Sequence, residues 1–130
     1  MGRPKKRPES PKRPTGPALR AKVRVGENVI GPGKVRLLRL VDERGSITAA
    51  AGAMGINYRR AWFLLESLQR CFAAPLFVTS RGGGAQGGAQ LTALGKALVE
   101  RFAAFEMEAA AGAEPFIDWI AAHQADQQPE

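Results

Sequence analysis

The chain has 130 residues, 45% of them apolar and 24% charged, with a formal net charge of +7. That length suits one domain with some surplus for a tail. A single cysteine, Cys71, excludes an intrachain disulfide, and a single histidine, His123, leaves no plausible Cys/His metal site.

No apolar run approaches the roughly 20 residues that cross a bilayer, and the basic N-terminus is not followed by the apolar stretch of a secretory signal. The charge is unevenly spread. Residues 1–24 carry nine Lys/Arg against Glu9 alone, a balance of +8, so the other 106 residues sum to −1. A nearly neutral body must therefore draw any affinity for polyanions from its arm and from individually placed cations.

Met1 to about Pro17 combines five prolines with dense charge, including Arg3, Lys5, Lys6 and Arg7. Such a segment buries too little apolar surface to offset its ordering entropy, which predicts a disordered basic arm over residues 1–20. Gly2-Arg3-Pro4 is similar to the core of an AT-hook, without the usual preceding arginine, so the expected role is a general phosphate-binding arm or a solubilising tail. Ala21-Lys22-Val23-Arg24-Val25 alternates with period 2 and predicts a short strand, with Gly26-Glu27-Asn28 as a turn.

Gly31-Pro32-Gly33 breaks the chain before a first helix, about Lys34 to Arg44, with Val35, Leu37, Leu38 and Val41 facing inward and Gly45 ending it. Ser46 suits the N-cap of a second helix, in which Ile47, Ala50, Ala51 and Met54 follow the spacing of one buried stripe. Gly55 supplies a turn, Ile56 plugs the core at the bend, and Asn57 caps a third helix with Ala61, Leu64, Leu65, Leu68 and Phe72 inside.

Two helices joined by a tight turn, the second opening on Asn57-Tyr58-Arg59-Arg60, have the layout of a helix-turn-helix. In that motif the first turn of the second helix reaches base edges in the major groove. Arg59 and Arg60 are thus the principal candidate DNA contacts, through guanine or phosphate, against a bland alternative of a solvated helix face. Tyr58 and Asn57 join them as candidates, with covering the turn as the alternative role of the first and capping as that of the second. Ser46 and Thr48 could hold a phosphate at the start of the second helix. Trp62 reads as packing.

Pro75 ends this region, and Leu76 to Thr79 reads as a strand, residues 81–88 as a glycine-rich loop, and Ala89-Gln90-Leu91 as a return strand. The loop lacks the Gly-Lys-Ser/Thr ending of a phosphate-binding P-loop. It reads instead as a wing, with Arg81 as a further DNA contact. Thr92 caps a long helix to about Ala111, Gly112 interrupts it, and a short helix follows from about Pro115 to Ala122.

The expected fold is mainly α with a small β-hairpin: a winged helix-turn-helix over residues 21–111, including a long C-terminal dimerisation helix, then a short helix and tail over 112–130. Leu94, Leu98, Phe102, Phe105 and Trp119 are the expected dimerisation residues, because a lone domain offers little to cover them.

The run GSITAAAGAMGINYRRAW followed by LFVTSRGGGAQGGAQLTALGKAL resembles the N-terminal DNA-binding domain of ModE-type molybdate-responsive transcription regulators. More distantly it is similar to the winged helix of LysR-type regulators. The resemblance spans about residues 21–111 and implies a dimeric protein that binds double-stranded DNA at an operator. Full-length members continue into a molybdate-binding region of small β-barrels, for which these 130 residues have no counterpart. The expectation is a stand-alone DNA-binding domain with no cofactor, no membrane association and an unidentified effector, working in a bacterial cytoplasm at the nucleoid. Alternatives are an architectural nucleoid protein of low sequence preference and a protein–protein adaptor. An enzyme is disfavoured, since Asp42, Glu43, Glu66 and Glu100 fall at helix ends or exposed positions without a nucleophile–base pair.

Overall fold

The computed structural model describes residues 16–80 and 87–126. Strands β1 (Val23–Val25) and β2 (Asn28–Ile30) form an antiparallel hairpin that leads into helices α1 (Pro32–Arg44), α2 (Ile47–Met54) and α3 (Tyr58–Gln69). A second antiparallel hairpin, β3 (Phe77–Thr79) with β4 (Ala89–Leu91), precedes helix α4 (Ala93–His123). The molecule is thus mainly helical with a small hairpin and a long C-terminal helix, as expected for a winged helix-turn-helix.

The core lies where the three short helices meet the second hairpin, around the fully buried Leu37, Leu38, Val41, Leu65, Leu68 and Leu76. Burying a side chain of this size contributes about 1.5–3 kcal/mol. Ala50 and Ala51 of α2, and Ala61 of α3, are buried at the helix crossings, where a side chain of one carbon lets the backbones approach.

Two cleft-like junctions fix the elements to one another. Lys34 of α1 donates from Nζ to the Val29 carbonyl oxygen (2.9 Å) and to Ser67 Oγ of α3 (2.7 Å), binding the first hairpin to two helices. The amide of Ala89 donates to the Gly45 carbonyl oxygen (2.8 Å), which ties the second hairpin to the turn between α1 and α2.

Gly95, in the first turn of α4, is buried, and a Cβ there would overlap the carbonyl oxygen of Leu76. Only glycine permits this approach of α4 to the start of β3. Gly95→Ala is therefore expected to lose about 1–3 kcal/mol by overpacking, lowering Tm by at least about 4 °C. A melting curve identical to that of the unaltered chain would show that α4 is free to shift.

Three features differ from expectation. The N-terminal segment is a two-stranded hairpin, not one strand, and Asn28 is its second strand's first residue, paired with Val25. Val29 and Ile30 carry the apolar pattern past Gly26-Glu27, and Ile30 packs on the core, which holds the return strand down. Helix α1 begins at Pro32 rather than Lys34, because proline at the first helical position has a suitable φ and no N–H to lose.

The third difference is the largest. Helix α4 runs unbroken through Gly112 and Pro115 to His123, where a break and a separate short helix were expected. Glycine costs a helix about 1 kcal/mol and internal proline about 3 kcal/mol. These are penalties rather than stops, and the alanines at 109, 110, 111 and 113 favour continuation.

Candidate nucleic-acid interface

The α2–α3 unit is built by its caps. Ser46 Oγ accepts the amide of Ala49 (3.0 Å) at the start of α2. Gly55, at φ +71°, turns the chain after α2, and the amide of Ile56 donates back to Ala51 (3.0 Å). Asn57 Oδ1 accepts the amide of Arg60 (2.7 Å), satisfying one of the free donors that open α3. The side-chain oxygens of Ser46 and Asn57 are thus committed to caps, and Thr48 stands exposed one residue inside α2.

Ala61, Leu65 and Leu68 turn the buried face of α3 inward, which leaves Arg59, Phe63, Glu66 and Arg70 exposed along one outward line. Arg60 lies beside that line with its guanidinium carbon 5.4 Å from the centre of the Phe63 ring. Among the described residues neither Arg59 nor Arg60 is ion-paired, and the first turn of α3 contains no acid. Two cations beside the positive end of a helix dipole are electrostatically unfavourable until an anion arrives.

Tyr58 and Trp62 turn toward the second hairpin, and for Trp62 this is the packing role expected. Trp62 meets the edge of Tyr58 (centroids 6.3 Å, planes at 73°) and tilts against Phe77 of β3 (5.8 Å). Ser80 and Gly88 close the base of the wing, with Ser80 N donating to the Gly88 carbonyl (2.8 Å) and Gly88 N to Ser80 Oγ (2.7 Å). Arg81 lies outside the described residues, as do Arg3, Lys5, Lys6 and Arg7 of the arm.

The residues expected on a dimer face divide into two groups. Phe102 was expected to lack cover, but the chain's own fold leaves it only 6% exposed, and Leu98 is half-buried against the core. The first turns of α4 lie across the domain and consume them. Leu94 and Phe105 are exposed, and Trp119 is 60% exposed beside Phe116 at 65%.

Phe63 was not anticipated as a site residue. Its signal was present in the sequence, since it falls four residues after Arg59 and off the apolar stripe of α3. Among the described residues no group of three or more His, Cys, Asp or Glu is placed to hold a metal ion. No helix among them is long and apolar enough to cross a membrane.

A helix–turn–helix whose second helix presents unpaired arginines beside a β-hairpin defines a winged helix-turn-helix DNA-binding module. Residues 33–96 match the bacterial regulatory helix-turn-helix proteins of the lysR family. It is 38% identical over 77 residues to the molybdenum-pterin-binding protein MopB of Rhodobacter capsulatus, covering 59% of the chain and 28% of MopB. It is 35% identical over 75 residues to the molybdenum transport protein ModE of Azotobacter vinelandii, covering 58% and 28%. Identity to the transcriptional regulator ModE of Haemophilus influenzae is 34% over 73 residues, covering 56% and 29%. The matched segment therefore spans less than a third of each of these relatives.

Proposed function

We propose that this protein is a bacterial transcription regulator that binds an operator in double-stranded DNA as a homodimer. The observation that carries the proposal is the start of α3, where Arg59 and Arg60 stand exposed and, among the described residues, without an acidic partner at the positive end of the helix. In this function α3 enters the major groove, Arg59 and Arg60 contact guanines or phosphates, and Tyr58 and Thr48 reach the backbone. Ser46 and Asn57 act chiefly by fixing the two helix starts. Arg81 at the wing and Arg3, Lys5, Lys6 and Arg7 of the arm add phosphate contacts, all within the cytoplasm. Dimerisation uses α4, through Leu94, Phe105 and Trp119.

Selection of bound duplexes from a random pool tests this. The expected product is an inverted repeat with half-sites about one helical turn, roughly 34 Å, apart. Recovery of unselected sequences with strong salt dependence would favour an architectural nucleoid protein instead. The relatives' names connect them with molybdenum. A genome-wide occupancy map would show whether this chain also binds near molybdenum genes.

A further inference from the structure

The recognition helix has a flank on each side, and only one of them is the wing. Trp62 and Tyr58 face the second hairpin, whereas Arg60 and Leu64, on the other side of α3, border a groove shared with the first hairpin. Arg20, Lys22, Lys34 and Arg60 line that groove, and among the described residues no acidic side chain does. Its floor includes Val29 and Leu64.

The pattern of the hairpin explains the charge. Side chains alternate across a strand, and directly opposed residues share a face. Lys22 and Arg24 therefore lie on the face of Val29, the partner of Arg24, while Ile30 on the opposite face packs against the core. Lys22 runs along Gly31, where a Cβ would come within 3.3 Å of its Cγ. Arg24 is exposed near the turn, its guanidinium donating to the Gly26 carbonyl (3.2 Å). The one acid of the hairpin, Glu27, occupies the turn itself and not the groove.

The hairpin is also held in place relative to α3. Lys34 bonds the Val29 carbonyl and Ser67 Oγ together, and Ser67 reaches Asn28 Oδ1 at 3.5 Å. A cationic ribbon fixed to the recognition helix presents its charges at a defined offset, which a floppy tail cannot do.

We propose that the β1–β2 hairpin is a second DNA-contacting flank, in which Arg20, Lys22 and Arg24 grip backbone phosphates on the side of α3 opposite the wing. The occupant is the duplex backbone that continues past the bases read by α3. Arg60 spans both surfaces, and the apolar floor suits deoxyribose. The inference rests on the DNA-binding function proposed above.

The test is a full-length triple variant, Arg20→Gln, Lys22→Gln and Arg24→Gln, titrated with a random-sequence duplex a few helical turns long at several salt concentrations. Each lost phosphate contact lowers the slope of log K against log salt by about 0.9. A decrease of up to about 2.7 per protomer is therefore expected, with an unchanged melting temperature because all three side chains are exposed. On a duplex recovered by selection, hydroxyl-radical protection should vanish at the flank next to each half-site while the selected bases stay the same.

An unchanged slope with binding intact would overturn this proposal and leave the DNA-binding function standing. Failure of the unaltered chain to bind any duplex would overturn both. Should the triple variant melt early, the single Lys22→Glu change gives the same reading, with a decrease in slope expected and an unchanged slope contradicting the proposal.

Discussion

Replacing Arg59 and Arg60 together by alanine is expected to abolish selection of the operator while leaving the fold intact. A bidentate arginine–guanine contact contributes about 1–3 kcal/mol of discrimination. Two such contacts give about 2–6 kcal/mol, a loss between roughly thirtyfold and twenty-five-thousandfold per half-site. Neither side chain is buried, and neither has an acidic partner among the described residues to leave stranded. Both cations oppose the dipole of α3, so their removal should stabilise the free protein by a few tenths of a kcal/mol.

Loss of binding with equal or higher Tm separates a recognition role from a structural one. A structural arginine would lower both. Competition binding between the selected duplex and a scrambled one, beside a melting curve, provides the measurement. If the double variant still preferred the selected duplex by the same factor, α3 would not be the reading element. Lysine at both positions supplies a control, because it retains the charge but lacks the planar fork that engages two acceptors. Affinity for random duplex should then survive while discrimination falls.

The α2–turn–α3 unit was legible from sequence because local chemistry dictates it. Ser46, Gly55 and Asn57 each solve a problem confined to a few residues, a free amide or a left-handed turn, and the structure shows each doing so. The second hairpin was legible for the same reason. The first hairpin was not, because its return strand is held by a distant lysine. Lys34 and Ser67 are 33 positions apart, and neither residue type signals a buried contact by itself.

The burial of Phe102 shows the same limit. Periodicity places it on an apolar stripe of α4, but only the packing of that helix across α1 decides whether the stripe meets its own domain or another. Gly112 and Pro115 point to a break for a different reason. Each weakens a helix on its own, whereas a helix ends only when the sum over its neighbours turns unfavourable. Phe63 was passed over because an aromatic residue within a helix is ordinarily packing, and its exposure depends on the orientation of α3 in the assembled fold.

Replacing Phe116 and Trp119 by serine is expected to convert the protein from dimer to monomer. No residue from 103 to 123 is buried, although these residues form the distal two-thirds of α4. A helical segment with no fully buried residue depends largely on intrinsic propensity, and this one also bears an internal glycine and proline. A second copy of the chain is the expected source of the missing stabilisation.

At 3.6 residues per turn, Phe105, Gly112, Phe116 and Trp119 share one stripe with Leu94 and Leu98, whereas the exposed Met107 lies on the other side. Phe116 and Trp119 are stacked at 6.2 Å, with His123 at 4.9 Å from Trp119, and form the broadest apolar surface on that stripe. A second copy of α4 would supply an apolar cover of matching length, and Gly112 would leave room for the two backbones to approach.

Coupling two half-site readers raises affinity by about a hundredfold to ten-thousandfold over one reader. The Phe116→Ser, Trp119→Ser variant should therefore sediment as a monomer and lose operator affinity by that factor. Its helical content should also fall, since the distal part of α4 would again be unsupported. The Arg59→Ala, Arg60→Ala variant should remain a dimer of undiminished helicity. A serine variant that stayed dimeric would move the interface elsewhere on the domain and leave the exposed face of α4 without its proposed purpose.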